Sequence, residues 1–199
     1  TGAWSVVAGA ATITTPASPT SGVTGLTIGA TATLRWTISN GVCASSTSDV
    51  VIAVDASPTI SAAGPDQALC NTTTATLAGN TPGIGTGAWT VLAGSAIVTT
   101  PGSATSGVTG LTIGASSTLR WTIANGVCAS STDDVVISVA TLPTVSAAGP
   151  DQSLCNVTIA TLASNVPAVG TGAWTVIAGT AVVTTPASAT SGVTGLTIG

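Results

Sequence analysis

The stretch from Thr118 to Cys128 reads Thr-Leu-Arg-Trp-Thr-Ile-Ala-Asn-Gly-Val-Cys. Its apolar residues Leu119, Trp121 and Ile123 alternate with polar residues, which is the period of a β-strand with one buried face. The Asn-Gly pair that follows accepts positive φ angles at little cost and is a strong signal for a tight turn. The stretch therefore predicts a strand, a turn and the start of a second strand.

The same pattern is present earlier in the chain, where Arg35-Trp36 leads into another Asn-Gly-Val-Cys sequence that ends at Cys43. The tetrapeptide Thr-Gly-Ala-Trp begins at Thr1, Thr86 and Thr171, so the sequence has a constant 85-residue period. A constant period of this length is typical of tandem domains, whereas the coils of a β-solenoid repeat at much shorter intervals.

The period predicts three segments in the chain of 199 residues. Residues 1–57 form the C-terminal part of one repeat, residues 58–142 a complete repeat, and residues 143–199 the N-terminal part of a third. Short linkers around Pro58 and Pro143 separate them, and proline restricts the backbone there.

Seven short strands are predicted in the complete repeat, because apolar and small polar residues alternate between turn signals. The first strand is broken by Gly64-Pro65-Asp66, since proline lacks the amide that a strand ladder needs. The predicted strands are residues 59–62 with 67–70, 74–78, 88–93, 96–99, 107–113, 118–124 and 134–139. No run shows a helical period, so the fold class expected is all-β, with tandem immunoglobulin-like β-sandwiches.

Composition excludes several classes of function. Only 4% of the residues are charged, and the two Lys or Arg residues cannot form a phosphate-binding track, so we expect no nucleic-acid partner. Apolar residues make up 44% of the chain but never form the run of about 20 that a membrane helix needs. The chain has neither His nor Lys as a general base, which predicts a non-enzymatic protein without a catalytic residue or a cofactor.

The block from Ser61 to Gln67, together with Cys70 and the Leu-Arg-Trp-Thr-Ile to Asn-Gly-Val-Cys stretch, resembles the PKD-like and immunoglobulin-like tandem repeats of very large secreted proteins of Bacteroidetes-type bacteria. The resemblance covers the whole chain. It implies a surface or filament protein, often adhesive or related to gliding, that is exported by a dedicated secretion route. It carries over no catalytic residue.

The four cysteines recur with the period. We predict a disulfide between Cys70 and Cys128 of the complete repeat, with Cys43 and Cys155 bonded to partners outside residues 1–199. A competing pairing joins Cys43 to Cys70 and Cys128 to Cys155, and sequence does not settle connectivity. Disulfides imply an oxidising compartment, so we expect an extracellular, cell-surface location.

The five tryptophans are candidates for the core, because they alternate in register with aliphatic residues. They are Trp4, Trp36, Trp89, Trp121 and Trp174. The alternative interpretation is a set of exposed rings that stack on sugars. Asp133-Asp134 suggests a weak Ca²⁺ site, but Ca²⁺ needs six to eight oxygens, so we predict no metal site and interpret the pair as solvated turn carboxylates.

These observations predict a structural repeat array that forms a stalk, an adhesin shaft or a filament. Its low charge favours lateral self-association, because like-charge repulsion between copies is weak. The alternative function is an adhesive module that binds carbohydrate or another surface.

Overall fold

The computed structural model describes residues 1–198 and contains only strands, turns and irregular segments over that range. This confirms the all-β fold class. The chain divides into two compact units, one made of residues 1–67 with 73–138 and the other of residues 68–72 with the residues from Val139 onward. The predicted repeat boundaries differ from this division and stay a prediction.

The complete repeat contains seven strands, in the order that the sequence predicts. They are β6 (Gln67–Cys70), β7 (Ala75–Thr76), β8 (Thr86–Ala93), β9 (Ile97–Val98), β10 (Gly107–Thr109), β11 (Ser116–Ala124) and β12 (Ser131–Ala140). One sheet has the order β6-β12-β11-β8 and the other the order β7-β10-β9. Two small sheets that share one core form a β-sandwich of the immunoglobulin type.

The core of this sandwich is formed by alternate residues of the long strands. On β11 the buried positions are Ser117, Leu119, Trp121 and Ile123, and the residues between them are only half-buried. The other sheet and its flanking segments contribute Leu77, Val108 and Leu111, all at most 4% exposed. Side chains at every second position thus face the core, as the pleat of a strand requires.

The indole rings of Trp89 and Trp121 pack against each other at the centre of the core, with centroids 5.0 Å apart. The two residues are direct partners in the antiparallel pairing of β8 with β11. Gly87 lies over the Trp121 ring, and a Cβ at this position would overlap it. The Gly of the Thr-Gly-Ala-Trp motif is therefore needed for close packing.

The preceding segment repeats this arrangement one period earlier. Its strands are β1 (Gly2–Ala8), β2 (Thr12–Ile13), β3 (Val23–Thr24), β4 (Ala30–Ile38) and β5 (Ser46–Val54). One sheet has the order β1-β4-β5, and β2 pairs with β3. Trp4 pairs with Trp36 across β1 and β4, as Trp89 does with Trp121.

The second compact unit contains a three-stranded sheet of order β13-β15-β14. Its strands are β13 (Ala160–Ala163), β14 (Val182–Val183) and β15 (Thr190–Thr194). Val193 and Ser191 on β15 are the most buried residues of this sheet.

One predicted strand segment, residues 59–62, is not a strand in the structure. Side chains of β12 replace the ladder there: the amide of Ser61 donates to Ser131 Oγ at 2.9 Å, and that of Ala63 donates to Asp133 Oδ2 at 2.7 Å. The segment therefore runs beside β12 without regular backbone pairing, because polar side chains supply the acceptors that a neighbouring strand would offer.

Candidate functional site at the junction between repeats

The Asn-Gly turn after β11 contacts the last residues of the preceding repeat. The amide of Val127 donates to Asp55 Oδ2 at 2.8 Å, and Asn125 Nδ2 donates to the carbonyl oxygen of Ala56 at 2.8 Å. The thiol of Cys128 lies 3.5 Å from the carbonyl oxygen of Asp55. Three successive contacts thus hold the segment after β5 against one turn, and all of them lie within the first compact unit.

Glycine is required at the tip of this turn for two reasons. Gly126 has a φ of 52°, a left-handed conformation that side chains with a Cβ disfavour. A Cβ there would also overlap the carboxylate of Asp55. The turn signal in the sequence therefore marks an inter-repeat contact as well as a hairpin.

The equivalent turn of the first repeat supplies a comparison. Gly41 has a φ of 54°, but a Cβ at this position would have no neighbour within 4 Å. Asn40 and Cys43 are exposed, whereas Asn125 and Cys128 are half-buried. The difference arises because Asp55 and Ala56 cover the second turn.

Sequence reasoning did not find Asp55, because its equivalent one period later is Ala140 and the carboxylate does not recur. The main-chain carbonyl at this position, which Cys128 approaches, is independent of residue type. Asn80 was also missed, although Asn165 recurs at the period. Asn80 Oδ1 accepts from the indole nitrogen of Trp121 at 3.2 Å and from the amide of Ala62 at 2.8 Å.

The predicted core tryptophans divide into two groups. Trp89 and Trp121 are 3% and 0% exposed, whereas the others are half-buried. Trp4 and Trp36 line a cleft of about 240 Å³, and Trp174 lines one of about 890 Å³ in the second unit. The equivalent tryptophans of the complete repeat are buried in its core.

The predicted disulfide between Cys70 and Cys128 is not present in the structure, which holds all four cysteines as free thiols. Cys128 shortly precedes the start of β12. The residue after Cys70, Asn71, donates its amide to the carbonyl oxygen of Ala140 at the other end of β12, at 2.9 Å. Ten strand residues span about 33 Å, so the geometry argues against this pairing, which stays a prediction.

The interpretation of Asp133 and Asp134 as turn carboxylates needs correction, since both lie within β12 and have protein partners. Asp133 accepts the Ala63 amide, and Asp134 forms a two-point ion pair with Arg120 at 2.7 Å and 2.9 Å. The hydrogen bond from Arg120 lowers the pKa of Asp134 below its ordinary value. Within residues 1–198 no group of three or more acidic or cysteine side chains is placed to hold a metal ion.

No family model matches the chain, and no curated protein sequence matches it. A PKD domain from KIAA 1837 protein, solved in solution, is 22% identical, with a TM-score of 0.36 over 47% of this chain and 92% of that one.

Two longer structures align with 97% of this chain. Domains 4–9 of the surface layer protein SbsC are 16% identical with a TM-score of 0.31, and the chain covers 34% of that structure. The human desmocollin-1 ectodomain is 11% identical with a TM-score of 0.31, and the chain covers 45% of it.

Proposed function

We propose that this chain is part of a non-catalytic structural array of an extracellular bacterial surface protein, which forms a stalk, an adhesin shaft or a filament. The observation that carries the proposal is the contact of Asp55 and Ala56 with the turn at residues 125–128. A repeat that makes specific hydrogen bonds to its neighbour is suited to transmit force along a chain. Independent domains on flexible linkers would not need such contacts.

The proposed mechanism is mechanical. The complete sandwich buries its tryptophan pair, so it resists unfolding as a unit. The linker is short and contains Pro58, whose fixed φ limits the bend between neighbours. The contacts of Asp55 and Ala56 with the next turn then restrict rotation about the linker.

Lateral self-association is part of the proposal. Only 4% of the residues are charged, whereas soluble proteins average about 25%. Large apolar side chains are exposed on the surface, among them Val127, Ile60 and Val145 at 92%, 82% and 86% exposure. A surface of this kind favours side-by-side contact between copies.

An extracellular location agrees with the composition, because Ser and Thr hydroxyls rather than charged side chains supply the polar groups of the surface. The resemblance to secreted repeats of Bacteroidetes-type bacteria points to the same location. Over residues 1–198 the structure contains no helix with the length and apolar character to cross a membrane.

The glycan-binding alternative depended on exposed tryptophan rings. In the complete repeat both rings are buried, and each indole nitrogen donates to the protein: Trp89 to the carbonyl oxygen of Ala104, and Trp121 to that of Asn80, both at 3.2 Å. A ring with its faces packed and its nitrogen bonded cannot stack on a sugar. We therefore favour the structural function.

Negative-stain microscopy of the native material tests the proposal. We expect uniform filaments or stalks with a repeat spacing of roughly 35 to 45 Å, the length of a sandwich with strands of about ten residues plus a linker. Compact particles without an axial repeat would contradict it. As a second arm, a change of tryptophan fluorescence on adding polysaccharide to the native material would favour the adhesive module.

A further inference from the structure

We propose that neighbouring repeats are joined by a disulfide between the cysteine at the end of the first strand of one repeat and the cysteine after the Asn-Gly turn of the next. The inference rests on the proposed function, because it needs tandem neighbours. The partner of Cys70 would lie one period after Cys128, and the partner of Cys128 one period before Cys70. Neither bond pairs two cysteines of residues 1–199.

The first observation is the position of Cys128 at the junction. Its thiol lies 3.5 Å from the carbonyl oxygen of Asp55, the residue that directly follows β5. Its equivalent Cys43 is exposed, whereas Cys128 is half-buried. The cysteine after the turn is therefore placed against the end of the preceding repeat's last strand.

The second observation places the other cysteine at the same point of the repeat. Asn71, directly after Cys70, donates its amide to the carbonyl oxygen of Ala140 at 2.9 Å. Ala140 is the residue one period after Asp55. The end of the first strand therefore reaches the same carbonyl position that the turn of the next repeat approaches.

One carbonyl oxygen has two lone pairs and can accept from both donors. The amide nitrogen lies 2.9 Å from this carbonyl position and belongs to the residue after one cysteine, whereas the sulfur 3.5 Å from it belongs to the other cysteine. The 85-residue period, applied to successive junctions, therefore places the two cysteines beside the same carbonyl group.

The other pairings do not fit the strands. Cys70 and Cys128 flank opposite ends of the ten-residue β12. Cys43 precedes the nine-residue β5, whereas the junction with the complete repeat follows the end of that strand. The length of β5, about 30 Å, therefore lies between Cys43 and the junction that a bond to Cys70 would have to cross.

Bond formation follows ordinary thiol–disulfide exchange. The thiolate of one cysteine attacks a small disulfide such as oxidised glutathione and releases one thiol. The thiolate of the second cysteine then attacks the resulting mixed disulfide and displaces the remaining small thiol. The two protein thiols lose two protons and two electrons, the Sγ–Sγ bond forms, and the small disulfide is reduced to two thiols. Exposure of Cys70 gives the reagent access.

The test uses the chain extended after Gly199 with a copy of its residues 30–57, which continues the repeat in register and supplies the missing cysteine. Cys43→Ser in the original segment makes the added Ser-Asn-Gly-Val-Cys peptide unique. After equilibration with reduced and oxidised glutathione, we expect one disulfide, between Cys70 and the added cysteine, and two free thiols. Peptide mapping by mass spectrometry identifies the link.

Cys70→Ser is the matched control and should abolish the link, whereas Cys155→Ser should leave it in place. A bond between Cys70 and Cys128 or between Cys128 and Cys155 would overturn the inference, as would four free thiols in a folded extended chain. The unextended chain gives an independent readout: it should keep all four thiols, and the formation of an internal disulfide would contradict the inference. Microscopy of the reduced native material tests the proposed array separately. Failure of the disulfide inference can therefore be distinguished from failure of the proposed function.

Discussion

At the scale of single residues, Asn80 connects Trp121 to the irregular segment of residues 60–62. Its side chain accepts from the indole of Trp121 and the amide of Ala62, and it donates to the carbonyl oxygen of Ile60 at 2.8 Å. Asn165 makes the equivalent bonds to residues 145 and 147. Trp121 is fully buried, so its indole nitrogen depends on Asn80 for a partner.

Asn80→Ala should lower the free energy of unfolding of the complete repeat by about 2 kcal/mol, because it removes three side-chain bonds and weakens the contact of a buried indole. Asn165→Ala is the matched control, since the side chain of Asn165 bonds residues 145 and 147 in the same way but accepts from no indole among the described residues. Urea unfolding followed by tryptophan fluorescence measures both. Equal, small effects of the two substitutions would show that the indole bond adds little.

Gly126→Ala tests the junction at the same scale. The positive φ alone costs about 1 kcal/mol, and displacement of the Asp55 carboxylate adds to it. Gly41→Ala carries the same backbone strain without the neighbour, so the difference between the two variants isolates the junction. We expect the amide of Val127 to exchange with solvent faster in Gly126→Ala than in Gly41→Ala, as measured by hydrogen exchange.

At the scale of elements, the strands of the complete repeat are held together by side-chain hydrogen bonds as well as by backbone pairing. Asp133 and Ser131 of β12 hold residues 61–63, and Asp66 Oδ1 accepts from the amide of Val136 at 2.8 Å. On the other edge of β12, Arg120 on β11 pairs with Asp134 directly across the ladder. The few charged residues are therefore used to link strands.

The pairing of Asp134 with Arg120 predicts a pH dependence. The hydrogen bond from Arg120 lowers the pKa of Asp134 in the folded state. The unfolded chain then binds more protons in acid, so the stabilisation is present above the unfolded pKa of about 3.9 and is lost as the pH falls through the lower folded pKa. Asp134→Asn should flatten the acid side of the stability curve.

Thermal unfolding of both proteins between pH 2 and pH 6 measures this effect. Parallel curves for Asp134→Asn and the unchanged protein would mean that the exposed pair contributes nothing. High salt should reduce the difference between them, because the partners are partly exposed and their attraction is screened.

At the scale of the whole molecule, the chain offers trypsin only two sites, after Arg35 and after Arg120. Both lie inside strands that are paired on both edges, β4 and β11. We expect slow digestion, with Arg35 cut first, because Trp36 is half-buried whereas Trp121 is fully buried. Gel electrophoresis over a time course measures it. Rapid cleavage at both sites would contradict compact repeats.

Local sequence patterns were sufficient to predict the fold class, the order of the seven strands and the burial of Trp89 and Trp121. These features depend on local alternation and on turn residues such as Asn125-Gly126, which act over a few residues. The 85-residue period of the sequence predicted neighbouring repeats, and their boundaries stay a prediction. The sequence also placed the four cysteines in two equivalent sets but offered no means of choosing between pairings.

Which distant residues contact each other became clear from the folded structure alone. Residues 59–62 have the alternation of a strand, but side chains of β12 take the place of backbone pairing there. Asp55 contacts the turn of the next repeat, although no carboxylate recurs at its position one period later. Asn71, next to Cys70, donates to the last residue of β12, a contact that sequence spacing does not reveal. Contacts between residues far apart in the chain depend on how strands are laid side by side, and local patterns carry no information about that arrangement.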